Sequence, residues 1–414
     1  MKTSEQMLVL SAREAADRLG VKIDTLYAYV SRGLLRSMEV EGSRERHYDA
    51  DEIERFRAGR GATRARPPAE DLIPVIGSSI CLIENHRLYY RGRDAVALAD
   101  TATLEEVAAI LWEDEASIAP TPTLPRLRGR GRVEVPATVD SLPRKRGRVG
   151  VGAGALERCQ IRLAELAGAD HAALDLARAG VVRTGRLILS ELAACVAGVE
   201  PSPLPVHRQL AAAWNLDPAR ADLVRRCLVL LADHELNAST FVARCVASTG
   251  ATPYAVVTGA LAALSGRRHG GASAQVEALF RELGDGPAPM PAMAARLARG
   301  EALPGLGQPL YPQGDPRALA IVGALNDVLP EAGARIAAAA VAAMELTGQY
   351  PNVDFALGAT TTALGLPPGA ALGIFLVARS VGWIAHAIEQ YESGVLIRPR
   401  ARYNGRRPSA GVAE

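Results

Sequence analysis

From about residue 160 onward the chain is laid out in Ala-, Leu- and Val-rich runs of helical length, and alternation of β-branched or aromatic residues with polar ones is rare. Apolar runs of this length predict a mainly α protein. Thr252-Pro253 opens one expected helix that ends near Ser265-Gly266, with the next resuming near Ala274. An Ala-rich helix is expected over about 331–346, another from near Ala356, and a long one from Gly369 to Ser393. The exception is Val75 to Ile83, a turn at Glu84-Asn85-His86, and Arg87 to Gly92, which together predict a small β-hairpin.

Residues 1–57 have a different texture. Ser11 caps a short helix that Gly20 closes, and Glu14, three residues after Ser11, completes a capping box. A second helix runs from Ile23 to Ser31 and is closed by Gly33; a wing-like polar turn with His47-Tyr48 and a third helix from Asp49 to about Arg57 follow. Two small helices joined by a tight turn form a helix-turn-helix pattern. The expected layout is a helix-turn-helix domain over 1–58, a Gly-, Arg- and Pro-rich linker over 59–70, and a body over 71–414. The body is interrupted at about 117–155, where Leu124-Pro125-Arg126-Leu127-Arg128-Gly129-Arg130 is echoed by Leu142-Pro143-Arg144-Lys145-Arg146-Gly147-Arg148. Pro, Gly and Arg at that density cannot bury a core, so a flexible basic insert is expected. It has no aromatic residue to stack on bases, which favours a solvated loop over a nucleic-acid contact.

Composition narrows the class. With 414 residues and 49% hydrophobic positions the chain can bury a large core, and 47 Lys and Arg against 45 Asp and Glu leave no global field for nucleic acid or membrane. Five cysteines at 81, 159, 195, 227 and 245 lack C-x-x-C spacing and read as reduced core thiols of a cytoplasmic protein. The first residues lack the apolar core of a signal peptide, and no uninterrupted apolar stretch reaches the ~18 residues of a membrane helix. No metal site or permanently bound cofactor is expected.

Four places carry candidate chemistry. Asp233-His234-Glu235-Leu236-Asn237-Ala238-Ser239-Thr240 interrupts two apolar runs, so His234 sits where a helix begins and a neutral imidazole is favoured. Capping by Asn237 or Ser239 is the alternative, and a H-E-x-x-H zinc site is excluded by Ala238. Arg267-Arg268-His269-Gly270-Gly271 combines an imidazole with glycines that permit close backbone approach, or is an ordinary helix connection. In Tyr350-Pro351-Asn352-Val353-Asp354-Phe355, Asp354 is either a carboxylate base raised by apolar neighbours or the next helix's N-cap. Arg379 lies in the middle of an otherwise apolar helix and needs an anionic partner. With Arg317 and the Arg398-Pro399-Arg400 segment, two histidines, one aspartate and several arginines suit proton transfer on a small polycarboxylate.

The ordered set D-H-E-L-N-A-S-T, H-G-G-A, G-x-P-L-Y-P-x-G-D-P-R-A, Y-P-N-V-D-F, an apolar helix with Arg, and R-P-R resembles the citrate synthase family over roughly residues 71–405, and His234 and His269 are 35 positions apart, which suits that pattern. The resemblance implies a helical homodimer with a large domain and a small mobile one, about 271–365, around a cleft. It implies condensation of acetyl-CoA, or another acyl-CoA such as propionyl-CoA, with oxaloacetate and water to give citrate and CoA, a step of the tricarboxylic acid cycle; propionyl-CoA would give 2-methylcitrate. Asp354 would remove the acyl methyl proton, His269 would stabilise the enolate oxygen, His234, Arg317 and Arg379 would bind oxaloacetate, and Arg398 would reach in from the other subunit. The family's histidine before D-P-R is replaced by Gln308, which can donate a hydrogen bond but cannot act as an acid near neutral pH. Ser273 stands where the family commonly has asparagine.

The first 57 residues resemble a MerR or excisionase helix-turn-helix, which implies DNA as a partner and a second function: a carboxylate-sensing regulator on a weakened synthase scaffold. Tyr27, Tyr29, Ser31, Arg32 and Arg36 are the candidate DNA contacts, although residues 1–66 hold only 13 Lys and Arg against 11 Asp and Glu.

Overall fold

The computed structural model describes residues 9–21, 23–31, 35, 37–39, 46–50, 53, 76–114, 151–284, 286, 288–401 and 405, with 9, 24, 28, 31, 39 and 151–153 as backbone alone. The chain forms two compact units, Met1–Ile76 and Gly77–Glu414. Arg32, Arg36, the 59–70 linker and most of the basic insert lie outside the described residues.

The N-terminal unit contains β1 (Val9–Ser11), α1 (Ala12–Leu19), α2 (Ile23–Ser31), β2 (Met38–Glu39) and β3 (Arg46–Asp49). The capping box forms as expected: the Ser11 hydroxyl accepts from the Glu14 N–H while the Glu14 carboxylate accepts from Ser11, and Gly20 closes the helix in the left-handed conformation. The sheet was not expected. His47 and Tyr48, expected in a polar turn, form the central strand in the antiparallel order β1-β3-β2, and Asp49 ends that strand; the helical positions Ala50 and Ile53 come after it. Tyr48 is buried in a small core with Leu10, Ala15, Leu19, Leu26 and Ile53, which is why the segment pairs instead of looping out. Of the described DNA candidates, Tyr27 is exposed, whereas Tyr29 packs on this core.

The larger unit opens with β4 (Cys81–Glu84), β5 (Arg87–Tyr90) and β6 (Arg93–Asp94), paired antiparallel in that order. The expected hairpin is present but starts at Cys81, and Ile76–Ile80 are not strand. Asn85 and His86 both have positive φ, the two-residue turn whose twist matches the flanking strands. Thereafter the unit is helical: α3 (Ala95–Thr101), α4 (Leu104–Trp112), α5 (Val151–Ala169), α6 (Arg178–Ala197), α7 (Val206–Ala213), α8 (Pro218–Leu231), α9 (Ala238–Ala247) and α10 (Pro253–Leu264). Next come α11 (Gly271–Leu283), α12 (Pro289–Ala298), α13 (Pro316–Val328), α14 (Pro330–Thr347), α15 (Val353–Ala363) and α16 (Ala370–Ser393). Helix α5 begins at Val151, so residues 151–155 belong to a helix and not to the insert. The five cysteines are free, but only Cys159 and Cys227 are fully buried.

Helix α16 is the axis of this unit and packs against α4, α6, α8, α9 and α10. It is long and apolar enough to cross a membrane by length and composition, yet 94% of its most apolar window is buried inside the protein. It brings no capping side chain of its own. Instead the buried Glu277 of α11 accepts from the N–H groups of Gly369 at 2.8 Å and Ala371 at 3.0 Å, satisfying donors that a helix start leaves orphaned. Helices α11, α12, α13, α14 and α15 pack on one another as a second helical group.

The C-terminal end of α8 docks on the middle of α16. Its last carbonyls are taken up from outside the helix: Val229 by the Tyr90 hydroxyl at 3.0 Å, Leu231 by Arg379 Nε at 2.7 Å and Ala232 by the Gly382 N–H at 3.0 Å. Gly382 is what allows the approach, because a Cβ there would lie 2.6 Å from the Ala232 carbonyl oxygen and closer still to Asp233 Oδ1. Overpacking against a backbone carbonyl cannot relax by a rotamer change. Gly382→Ala is expected to destabilise the larger unit by about 2–3 kcal/mol, seen as a lower thermal unfolding midpoint. An unchanged midpoint would show that α8 and α16 slide apart freely.

Candidate active site

The stop at Leu231 places Asp233, His234 and Glu235 in a turn between α8 and α9, with Glu235 at positive φ. Of the two capping candidates it is Asn237 that caps α9, accepting from the Thr240 N–H at 3.0 Å; Ser239 lies inside the helix. His234 is buried, with Nε2 3.2 Å from the Tyr311 hydroxyl. Its pKa falls well below the ordinary value because of burial, then the positive charges of Arg317 and Arg379. A helix N-terminus was the expected cause; desolvation and the arginines are the causes found.

His269 sits just before α11, which begins at Gly271 and not at Ala274. The glycine that follows serves packing: a Cβ on Gly270 would meet the Leu264 carbonyl at 2.5 Å and Leu372 at 2.8 Å. His269 Nε2 lies 2.8 Å from Ser239 Oγ, and the ring is edge-on to Phe375. Burial, then Arg379, lower its pKa to about 4. Ser239 also accepts from Trp383 Nε1 at 3.2 Å and lies 2.9 Å from Asn237 Oδ1. Its single proton thus has two acceptors; when it goes to His269, the imidazole's own proton sits on Nδ1.

Asp354 is not a cap. Asn352 takes that role, accepting from the N–H groups of Asp354 and Phe355, so the Asp354 side chain in the first turn of α15 stays available. Ser273 donates to its Oδ1 at 2.8 Å, which ties α15 to the start of α11 four residues after His269. Burial raises the Asp354 pKa, while the Ser273 hydrogen bond, Arg317 and Arg379 pull the other way.

The two arginines are both buried but differ in state. Arg317 is gripped at two points by Asp315, the cap of α13, through Nε at 3.0 Å and Nη2 at 2.7 Å, and its guanidinium lies over the Tyr311 ring. Arg379 donates Nε to Leu231 and stacks on Phe375, but no carboxylate lies within 4 Å of it among the described residues. Burial lowers its pKa, opposed by the charge of Asp233. A buried cation so placed remains short of an anionic partner in contact with it. Its field reaches His234, His269 and Asp354, which brings three of the predicted loops to one place.

Gln308 lies in a segment laced to the start of α15: Gly307 N–H donates to Tyr350 O at 2.8 Å, and Asn352 Nδ2 donates to Gly307 O at 3.1 Å. With Tyr311, Asp315 and Tyr350 it lines a cavity of about 120 Å³. Arg398 is not brought into the cluster by this chain; it lies exposed on the irregular segment after α16. The residues that the sequence reading passed over are Tyr311 and Trp383, and the roles of Ser239 and Ser273. Their partners across the site are remote in sequence, and the one local hint is that Ser273 stands four residues, about one helical turn, after His269.

With His269 and His234 both neutral in the fold, an unfolded chain takes up protons first. Between the ordinary histidine pKa near 6.5 and about 4, stability therefore falls as pH falls. The His269 share is about 1–2 kcal/mol between pH 7.5 and pH 5. Denaturant unfolding of the wild type and His269→Gln at both pH values checks this; the variant should lose less on acidification, and an equal loss would contradict it.

Comparison with known proteins identifies the family and the fold. The profile of the citrate synthase C-terminal domain matches residues 71–400, and that of the MerR helix-turn-helix family of regulatory proteins matches residues 10–63. A citrate synthase of Haloferax volcanii is 43% identical over 192 residues, 45% of this chain and 50% of that one, so the chain spans about half of that relative. A 2-methylcitrate synthase of Mycobacterium tuberculosis is 31% identical over 350 residues, 78% of this chain and 86% of that one. The citrate synthase structure from Thermotoga maritima superimposes with a TM-score of 0.64 at 27% identity, covering 83% of this chain and 96% of that one.

Proposed function

The chain belongs to the citrate synthase family, and from that premise we propose that it condenses a short acyl-CoA, acetyl-CoA or propionyl-CoA, with oxaloacetate and water, releasing CoA and citrate or 2-methylcitrate. The observation that carries this reading is the joining of Asp354 through Ser273 to the helix that follows His269, within the field of Arg379, which no carboxylate among the described residues touches. Asp354, raised but still opposed by two arginines, takes the proton α to the thioester carbonyl. Neutral His269 donates to the acyl oxygen as enolate charge develops; a donor so placed is worth about 3–4 kcal/mol. Arg379, the remaining N–H groups of Arg317, and His234 hold the keto-diacid. Gln308 donates an amide hydrogen bond but supplies no proton, so alkoxide protonation is the weak step.

We extend the reading to a cytoplasmic homodimer. Five free thiols suit a reducing compartment, and the exposed segment with Arg398 suits an arm that completes the partner's cleft. Closure of residues 271–365 over the substrates would exclude water and limit thioester hydrolysis.

Purified full chain with oxaloacetate, either acyl-CoA and a thiol reagent tests the assignment. CoA release is expected, with Asp354→Asn slower by about 10²–10⁴-fold in kcat and Gln308→His faster than the wild type. No release above background with either thioester would end the enzymatic reading.

The helix-turn-helix unit and Gln308 favour a second reading, a carboxylate-responsive DNA-binding regulator. Gel retardation of duplex DNA that weakens steeply with salt is its expected signature. Absent or salt-insensitive retardation counts against it.

A further inference from the structure

Beneath the turn that carries His234 lies a set of ionisable side chains that the proposed chemistry leaves unused. Asp233 and His386 are both completely buried, with Asp233 Oδ1 3.3 Å from His386 Nε2; that approach is within ion-pair distance but not aligned as a hydrogen bond, and neither atom has any other hydrogen-bond partner among the described residues. At the other edge of the ring, Nδ1 lies 3.2 Å from Arg244 Nη1. A guanidinium only donates, so Nδ1 must accept, and the proton of the neutral ring sits on Nε2 facing Asp233. Arg244 also pairs with Glu389 at 2.5 Å and donates Nε to Gln390 at 2.9 Å. Glu389 accepts in turn from the backbone and hydroxyl of Ser79.

Asp233 faces the site on its other side. Its Oδ2 accepts from the Glu235 N–H at 3.1 Å, closing the turn in which Glu235 takes positive φ and His234 is presented to Tyr311. Its charge is also the main support for the Arg379 cation against burial. Charge therefore alternates from the half-buried Glu389 through Arg244, the His386 dipole and Asp233 to Arg379, and each buried member depends on the next.

We propose that His386 is a positioning residue for keto-acid binding. It holds the Asp233 carboxylate where that group both shapes the His234 turn and balances Arg379 until a substrate carboxylate arrives. The inference rests on the cleft being an oxaloacetate site.

The test is calorimetric oxaloacetate binding and steady-state turnover of the full chain, alongside His386→Leu, His386→Gln and Asp233→Asn, with a thermal midpoint for each. His386→Leu removes both the donor and the acceptor, and should raise Kd and KM for oxaloacetate about 10-fold or more with kcat changed less than about 3-fold. His386→Gln keeps one donor and one acceptor and should recover affinity to within about 3-fold of wild type. Asp233→Asn should weaken binding about 5-fold or more, and it decides the matter should His386→Leu fail to fold. Unchanged oxaloacetate affinity in His386→Leu or Asp233→Asn overturns the proposal, as does a kcat loss with KM untouched. A wild type that neither binds oxaloacetate nor releases CoA overturns the synthase reading instead; a wild type that does both beside indifferent variants overturns the positioning role alone.

Discussion

The docking of the α8 C-terminus onto the centre of α16 is the constraint from which the site follows. Helix ends leave carbonyls without partners, and a buried end must find donors elsewhere. Here a tyrosine hydroxyl, a guanidinium and a backbone N–H supply them, and the last two come from α16 itself. Because Arg379 donates to Leu231, its position is locked to the turn that presents His234 three residues on. Gly382 makes the approach possible, and so sets the distance between His234 and Arg379, the pair proposed to hold the keto-diacid.

Buried charge is the second theme. Arg317 is neutralised within the protein by Asp315, whereas Arg379 has only a carbonyl, a ring face and a more distant aspartate. Such an arrangement stores unfavourable desolvation that a ligand carboxylate relieves, which favours the bound state without any rearrangement of the helices. The same cationic field, added to burial, keeps both histidines neutral. A neutral imidazole can donate toward an enolate without first being a competing cation, so one electrostatic source serves binding and chemistry together.

Much of this was legible along the chain. The capping box at Ser11, the helix Ile23 to Ser31 and the helix ending at Ser393 were readable to within a residue or so because each is written in local code: a cap, a glycine stop, an apolar period. His234, Asp354 and Arg379 stood out as polar groups among apolar runs, and His269 as an imidazole beside paired glycines. Less legible was the strand at His47-Tyr48, where burial of one tyrosine against α1 and α2 outweighs a polar-looking segment. The capping of α16 by Glu277 was invisible, since its donors lie about ninety residues away.

Taken alone, the sequence determined the helical class, the motif order that marks the family, the helix-turn-helix at the front and the replacement of an acid by Gln308. These depend on residue type and short-range spacing, which a one-dimensional reading contains. Tertiary structure alone decided that Asn352 frees Asp354 from capping, that Arg317 is already paired while Arg379 is not, and that Asp233 and His386 meet under the site. Each of those depends on which remote groups burial brings within hydrogen-bonding or Coulombic reach, and that is a property of packing, not of order along the chain.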